Sequence, residues 1–247
     1  MKTYRMNAVM AGALYFLGTA FGVTGRLVGG EVVASISSGI PLAGVDMLGL
    51  IADNSSLLTW VAFLSLMMGM SLTAMTVFLY PIFRKDSEEL AMGMLLFRGA
   101  LEASFYMVTT LGLLAIIALG NAYAATGAAS AALQSMDNVL YQFQDLAAPV
   151  GTIIFVIGAT CLYISFYRTR LIPRWLTIWG LIGLVLYLAY ALLNFFHIDS
   201  GIDDYLQMVT FFQELVMGAW LVIKGFNLDA VRKLDEADYP HPIPLSS

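Results

Sequence analysis

"LAMGMLLFRGALEASFYMVTTLGLLAIIAL", residues 90–119, is an apolar run broken only by two charges, Arg98 and Glu102. A helix needs about 20 consecutive apolar residues to cross the hydrocarbon core of a bilayer. The run exceeds that length, so it reads as a membrane span that carries an ion pair inside it. On a helix, positions i and i+4 share one face. The two charges therefore point the same way, and lipid is the one place they should not face.

The rest of the chain agrees with a membrane reading. The 247 residues are 60% hydrophobic and 12% charged, with a mean hydropathy of +0.80, whereas soluble domains carry about 25% charged residues. Five further segments are long and apolar enough to span, roughly 7–28, 57–83, 146–167, 175–196 and 205–226. The fold expected is all-α: a polytopic integral membrane protein of six transmembrane helices over residues 1–227, followed by a tail at 228–247.

Orientation follows from the basic residues, which gather on the cytoplasmic side. With the N-terminus placed there, Lys2, Arg5, Arg84, Lys85, Arg168, Arg170, Arg174, Lys224, Arg232 and Lys233 share that side, and only Arg26 lies opposite. Both termini are thus expected in the cytoplasm, in a cell (inner or cytoplasmic) membrane crossed several times. The other face collects Glu31, Asp46, Asp53, Asp137, Asp199, Asp203 and Asp204. "MKTYR" before an apolar run resembles a signal peptide, but the run is long enough to span and no small-residue cleavage site follows, so an uncleaved first helix is expected.

Other classes are excluded or left without support. A net charge of −5 and a pI near 4.9 give no basic face for nucleic acid. A single cysteine, Cys161, allows no internal disulfide and no cysteine-based metal site, and reads as a small apolar packer. "NFFHIDSGIDDYLQ" carries Asn194, His197, Asp199, Asp203 and Asp204, a metal-capable set whose spacing matches no recognised site. It reads as a solvated acidic turn. "RLIPRWLTIWG" reads as an interface, with Arg170 and Arg174 at headgroup level beside Trp175 and Trp179, and Pro173 starting the helix. No catalytic residue, metal ligand or cofactor is identified, and bis-His haem ligation has no support.

Two outer connections are long. Residues 29–56 mix Gly, Ser and Pro with apolar residues and are expected at the interface or folded over the bundle mouth. Residues 120–145 are Ala-rich and predict a connection holding a short surface helix before span four. The first half of the tail predicts a helical continuation of span six, and its Pro-rich end an extended segment.

The intramembrane charges carry the one sharp functional expectation. At ~1.5 Å per residue, Arg98 lies ~12 Å and Glu102 ~18 Å in from Leu90, and Glu214 ~15 Å in from Lys224. All three reach one layer near the bilayer centre. A charge there costs at least ~2.5–3.5 kcal/mol, so it should face the bundle interior and be paired. Arg98 is expected to bridge Glu102 and Glu214, with Gln213 or Tyr106 as hydrogen-bonding neighbours. One cation facing two carboxylates leaves a surplus negative charge, balanced by a proton, a cation, a water chain or a partner. Two readings stay open: an ion pair that fixes helix packing, or a cluster that handles a proton, a cation or a polar ligand.

"AGALYFLGTAFG", "LYPIFRK", "LLFRGALEASFYM", "LIPRWLTIWGLIG" and "QELVMGAWLVIKGFN" together resemble a bacterial membrane family known as domain of unknown function forty-three eighty-six, over roughly residues 8–227. The resemblance implies a six-helix bundle with Arg98 and Glu102 in an R-x-x-x-E motif and Glu214 in E-x-x-x-x-x-W-L, and implies no activity or ligand. Three function classes follow: a small membrane binding, transport or sensing module built on the Arg98–Glu102–Glu214 cluster; an accessory or structural subunit of a larger membrane complex, with membrane-protein partners or as a homo-oligomer; and, last, an intramembrane enzyme.

Overall fold

The structure is a computed structural model describing residues 2–38, 47–127, 130–198, 201 and 203–238, without the side chains at 2, 3, 37, 38, 203, 204 and 238. The calls on Asp46, Asp199 and the Pro-rich end fall outside the described residues, as do the side chains of Asp203 and Asp204. The described chain is all helical. It comprises α1 (Lys2–Ser38), α2 (Met47–Asp53), α3 (Ser55–Phe83), α4 (Glu88–Gly93), a π-helical stretch (Met94–Leu101), α5 (Glu102–Thr126), α6 (Ala131–Thr169), α7 (Arg174–Phe195), α8 (Asp203–Ile223) and α9 (Leu228–Asp238).

Six helices are long and apolar enough to cross a membrane, with α4, the π stretch and α5 counting as one. They form a ring in chain order: α1 packs on α3, α3 on the π stretch and α5, those on α6, α6 on α7, α7 on α8, and α8 back on α1. The outward faces are apolar, with Val77 55%, Leu111 65% and Val185 69% exposed. A water-soluble bundle would turn polar residues outward, so this exterior matches lipid.

Two hydrophobic clusters hold the ring. The larger joins Ala8, Tyr15, Met75, Phe83, Tyr163, Phe166 and Met217 toward the end where α1 begins and α8 finishes. The smaller, at the opposite end, joins Ile36, Met47, Ile51, Leu58, Ile116 and Tyr141. Here α2 lies against α5, where a Cβ on Gly120 would approach Ile51 Cγ2 to 2.7 Å. The segment 29–56 thus contributes a further part of α1, bent at Gly30 (φ 51°, ψ −139°), and one packed helix.

Two expectations are corrected. Residues 120–145 do not hold a separate surface helix: α5 runs on to Thr126 and α6 begins at Ala131, so most of the stretch extends spans three and four. Alanine has the highest helix propensity, and nothing in the run stops the helices until Gly127 (φ 67°) closes α5 in the left-handed conformation. Ser130 then starts α6 by accepting from the Leu133 N–H at 3.2 Å.

The tail does not continue span six. Gly225 adopts φ 72° after α8, and α9 starts anew with Asn227 Oδ1 accepting from the Asp229 N–H at 3.1 Å. Ala230 and Val231 pack into the larger cluster. A further feature, with no counterpart among the expectations, is that Met94–Leu101 within the third span is π-helical.

One surface contact ties α9 to the bundle and has a pH signature. Lys85 Nζ sits 2.7 Å from Asp235 Oδ1 and the Tyr4 hydroxyl donates to the same oxygen at 2.8 Å. The Lys85 hydrogen bond, with help from Tyr4, holds the Asp235 carboxyl below the usual carboxylate value. A carboxyl depressed on folding contributes stability that is complete above the unfolded value of about 4 and lost as pH falls through the lower folded value. Hydrogen exchange of the α9 amides should therefore accelerate below about pH 4, and the step should vanish in Asp235→Asn. An unchanged acid profile in that variant would remove the contact from the account.

Candidate functional site

The buried charges meet at the centre of the ring. Arg98 is 2% exposed and Glu102 3%. Arg98 Nη1 pairs with Glu102 Oε1 one turn along the same span. Its Nη2 donates to the Tyr15 hydroxyl at 3.2 Å and lies 3.5 Å from Glu214 Oε1, and the Tyr15 hydroxyl in turn donates to that Glu214 oxygen. The guanidinium also stacks over the Phe155 ring, 4.4 Å from its centroid, a cation–π contact strengthened by the burial of Arg98.

Arg98 can sit this deep because its neighbours leave it room. A Cβ at Gly158 of α6 would lie 2.7 Å from Arg98 Cβ and 2.8 Å from its Cα, so α6 passes against the arginine backbone itself. On the other side, a Cβ at Gly99 would fall 2.8 Å from Thr76 Oγ1. A π stretch disturbs the i→i+4 ladder and is frequent at functional sites. Its carbonyls need partners inside the membrane, and Thr73 Oγ1 donates to Gly99 O at 3.1 Å.

Gln213 and Tyr106 occupy other positions. Gln213 accepts from the Tyr163 hydroxyl at 2.5 Å and donates to Leu176 O at 3.0 Å. It joins α6, α7 and α8 one residue away from Glu214. Tyr106 packs its ring near Gly69 and lines a cavity instead. Tyr15 and Phe155, which complete the cluster, were not singled out from sequence. An aromatic in an apolar helix carries no mark distinguishing a core packer from a charge partner.

The cluster forms the floor of a cavity of about 480 Å³, within the range of ligand pockets. All six spans contribute to it. Its walls are aromatic (Phe105, Tyr106, Phe155, Tyr187, Phe211), with hydroxyls from Thr19, Ser65, Thr109, Thr152 and Thr210 among them. Arg26 stands toward the end opposite α9, 11 residues past Tyr15 on α1, or about 16 Å along the helix axis. The cavity thus lies on the side of the cluster away from α9, between it and the smaller hydrophobic cluster.

At the outer turn, His197 has φ 52° and its Nδ1 lies 3.8 Å from Asp145 Oδ2. Among the described residues, no three His, Cys, Asp or Glu side chains converge as a metal site.

The chain matches the family described as domain of unknown function (DUF4386) over residues 10–225. It is also 35% identical over 97 residues to an uncharacterized protein of Archaeoglobus fulgidus (strain ATCC 49558 / DSM 4304 / JCM 9628 / NBRC 100126 / VC-16), a match spanning 37% of this chain and 57% of that protein. No solved structure matches it.

Proposed function

This chain belongs to the family described as domain of unknown function (DUF4386), and we propose that it is a membrane-embedded binding module for a small polar-headed molecule. The observation that carries this reading is the 480 Å³ cavity with Arg98, Glu102 and Glu214 as its floor. A salt bridge serving only to fix helix packing has no need of an accessible hollow above it. Here Glu214 keeps 17% of its side chain exposed, and the cavity reaches it. The hydrophobic walls supply binding area and the floor supplies orientation, the usual division of labour in ligand pockets.

The membrane is the cell membrane, with both termini in the cytoplasm and the cavity opening away from it. The basic residues at the end of the bundle where α1 begins and α8 finishes support that orientation. A cysteine introduced at Arg84 should react with an impermeant reagent only after the membrane is opened.

The binding reading is tested by gentle purification and mass spectrometry of everything that leaves with the protein. Wild type should release a stoichiometric small molecule, and Ala148→Trp, which puts bulk into the cavity wall, should release none. Stoichiometric protein partners and an empty cavity in both would make the chain an accessory subunit and sink the binding module.

A further inference from the structure

We infer that the cavity binds its ligand through an ammonium group, so that the ligand is a small organic amine carried as a cation. This inference rests on the binding reading above and adds the charge and donor pattern of the head group.

The floor holds one guanidinium and two carboxylates, a surplus of one negative charge when all three are ionised. Each existing bond is already assigned: Arg98 to Glu102 Oε1, Arg98 to Tyr15, and Tyr15 to Glu214 Oε1. Among the described residues, Glu102 Oε2 is left buried without a hydrogen-bond partner, and so are Arg98 Nε on the same floor and Thr210 Oγ1 in the lining. A carboxylate oxygen can only accept, and a threonine hydroxyl can do either. A buried polar atom without a partner costs its full desolvation. Two carboxylates outweigh the one guanidinium, whose Nε faces that surplus, so the complement of this floor is a group that brings N–H donors to the carboxylate oxygen and one positive charge.

An alkylammonium does both. An anion would place a third negative charge beside two carboxylates. A neutral amide could donate to Glu102 but would leave the charge uncorrected. A divalent metal needs about six oxygen ligands, whereas the floor offers two carboxylates, one of them already paired with Arg98, and the aromatic rings of the lining offer none. Those rings suit an organic cation, because their faces attract positive charge and their area buries an apolar body. Arg26 does not cancel the floor. It is exposed and about 16 Å up the α1 axis, too far to hydrogen-bond to the floor.

The test uses three probes sharing one phenyl ring, applied to the full chain in lipid nanodiscs and read by thermal shift and calorimetry. They are phenethylammonium, 2-phenylethanol and 3-phenylpropionate. Phenethylammonium should stabilise wild type saturably and bind at least tenfold more tightly than either analogue. Glu102→Gln should weaken it at least tenfold while leaving 2-phenylethanol unchanged. Should Glu102→Gln fail to fold, Thr210→Val keeps every charge and removes one donor-acceptor, and a weakening there confined to the ammonium probe serves instead. Preference for the alcohol or the carboxylate would overturn the amine while leaving the binding module standing. So would a neutral or anionic molecule copurifying with wild type and missing from Ala148→Trp. No binding of any probe, with no molecule copurifying, would remove both.

Discussion

Arg98→Met should cost the protein about 3–5 kcal/mol, because it leaves two carboxylates buried in the bundle with no cation between them. Glu102 is 3% exposed and, among the described residues, depends on Arg98 for its one hydrogen bond, while Glu214 keeps the Tyr15 hydroxyl alone. At about 2–4 °C per kcal/mol for a chain of this size, the unfolding midpoint in nanodiscs should fall by roughly 6–20 °C. The informative control removes the whole cluster. With Arg98→Met, Glu102→Leu and Glu214→Met combined, no charge is left stranded, and buried ion clusters replaced by apolar groups are often neutral or stabilising. Stability should then return while ammonium binding does not. A single variant as stable as wild type would mean that Glu102 and Glu214 reach water, a proton or a partner in the membrane. A triple variant that keeps binding would free the cavity from its floor.

That experiment also separates what was legible in the sequence from what was not. The six spans could be read because lipid demands apolar residues on nearly every exposed position, and "LAMGMLLFRGALEASFYMVTTLGLLAIIAL" satisfies that demand almost without interruption. The meeting of Arg98, Glu102 and Glu214 could be reasoned from depth alone, since a buried charge must find an opposite one and only these lie in that layer. The extent of the helices was harder. Alanine-rich residues 120–145 look like a loop by hydropathy and like helix by propensity, and propensity prevailed. The end of α8 did carry a signal, since glycine after a final lysine in "VIKGFN" is a common helix stop. The π stretch carried none, because Met94–Leu101 contains no residue that α-helix would refuse. The glycines behind it were equally silent. A glycine in a membrane helix reports that something comes close, without saying what.

Gly158 is where that silence can be broken by experiment, and Gly218 is its control. Both sit inside long spans, at α6 and α8, and both would become alanine by the same single-methyl change. At Gly218 the added Cβ would find Phe16 at 3.6 Å and the Gly12 carbonyl at 3.7 Å, ordinary contact distances. Alanine there should be neutral or stabilising by roughly 0.5–1 kcal/mol, because glycine loses more freedom on folding. At Gly158 the same methyl would strike the Arg98 backbone, with Cα at 2.8 Å and the nitrogen nearer still. Backbone cannot swing aside as a side chain can, so α6 must move away from the π stretch, at about 1–3 kcal/mol or more. Because Phe155 on α6 covers the guanidinium at 4.4 Å, the displacement would also loosen the cation–π contact. Gly158→Ala should therefore lower both the unfolding midpoint and the affinity for phenethylammonium, while Gly218→Ala lowers neither. If the two alanines behave alike, the close passage of α6 is not what seats Arg98. The cluster would then have to be held in place from the α1 side, through Tyr15.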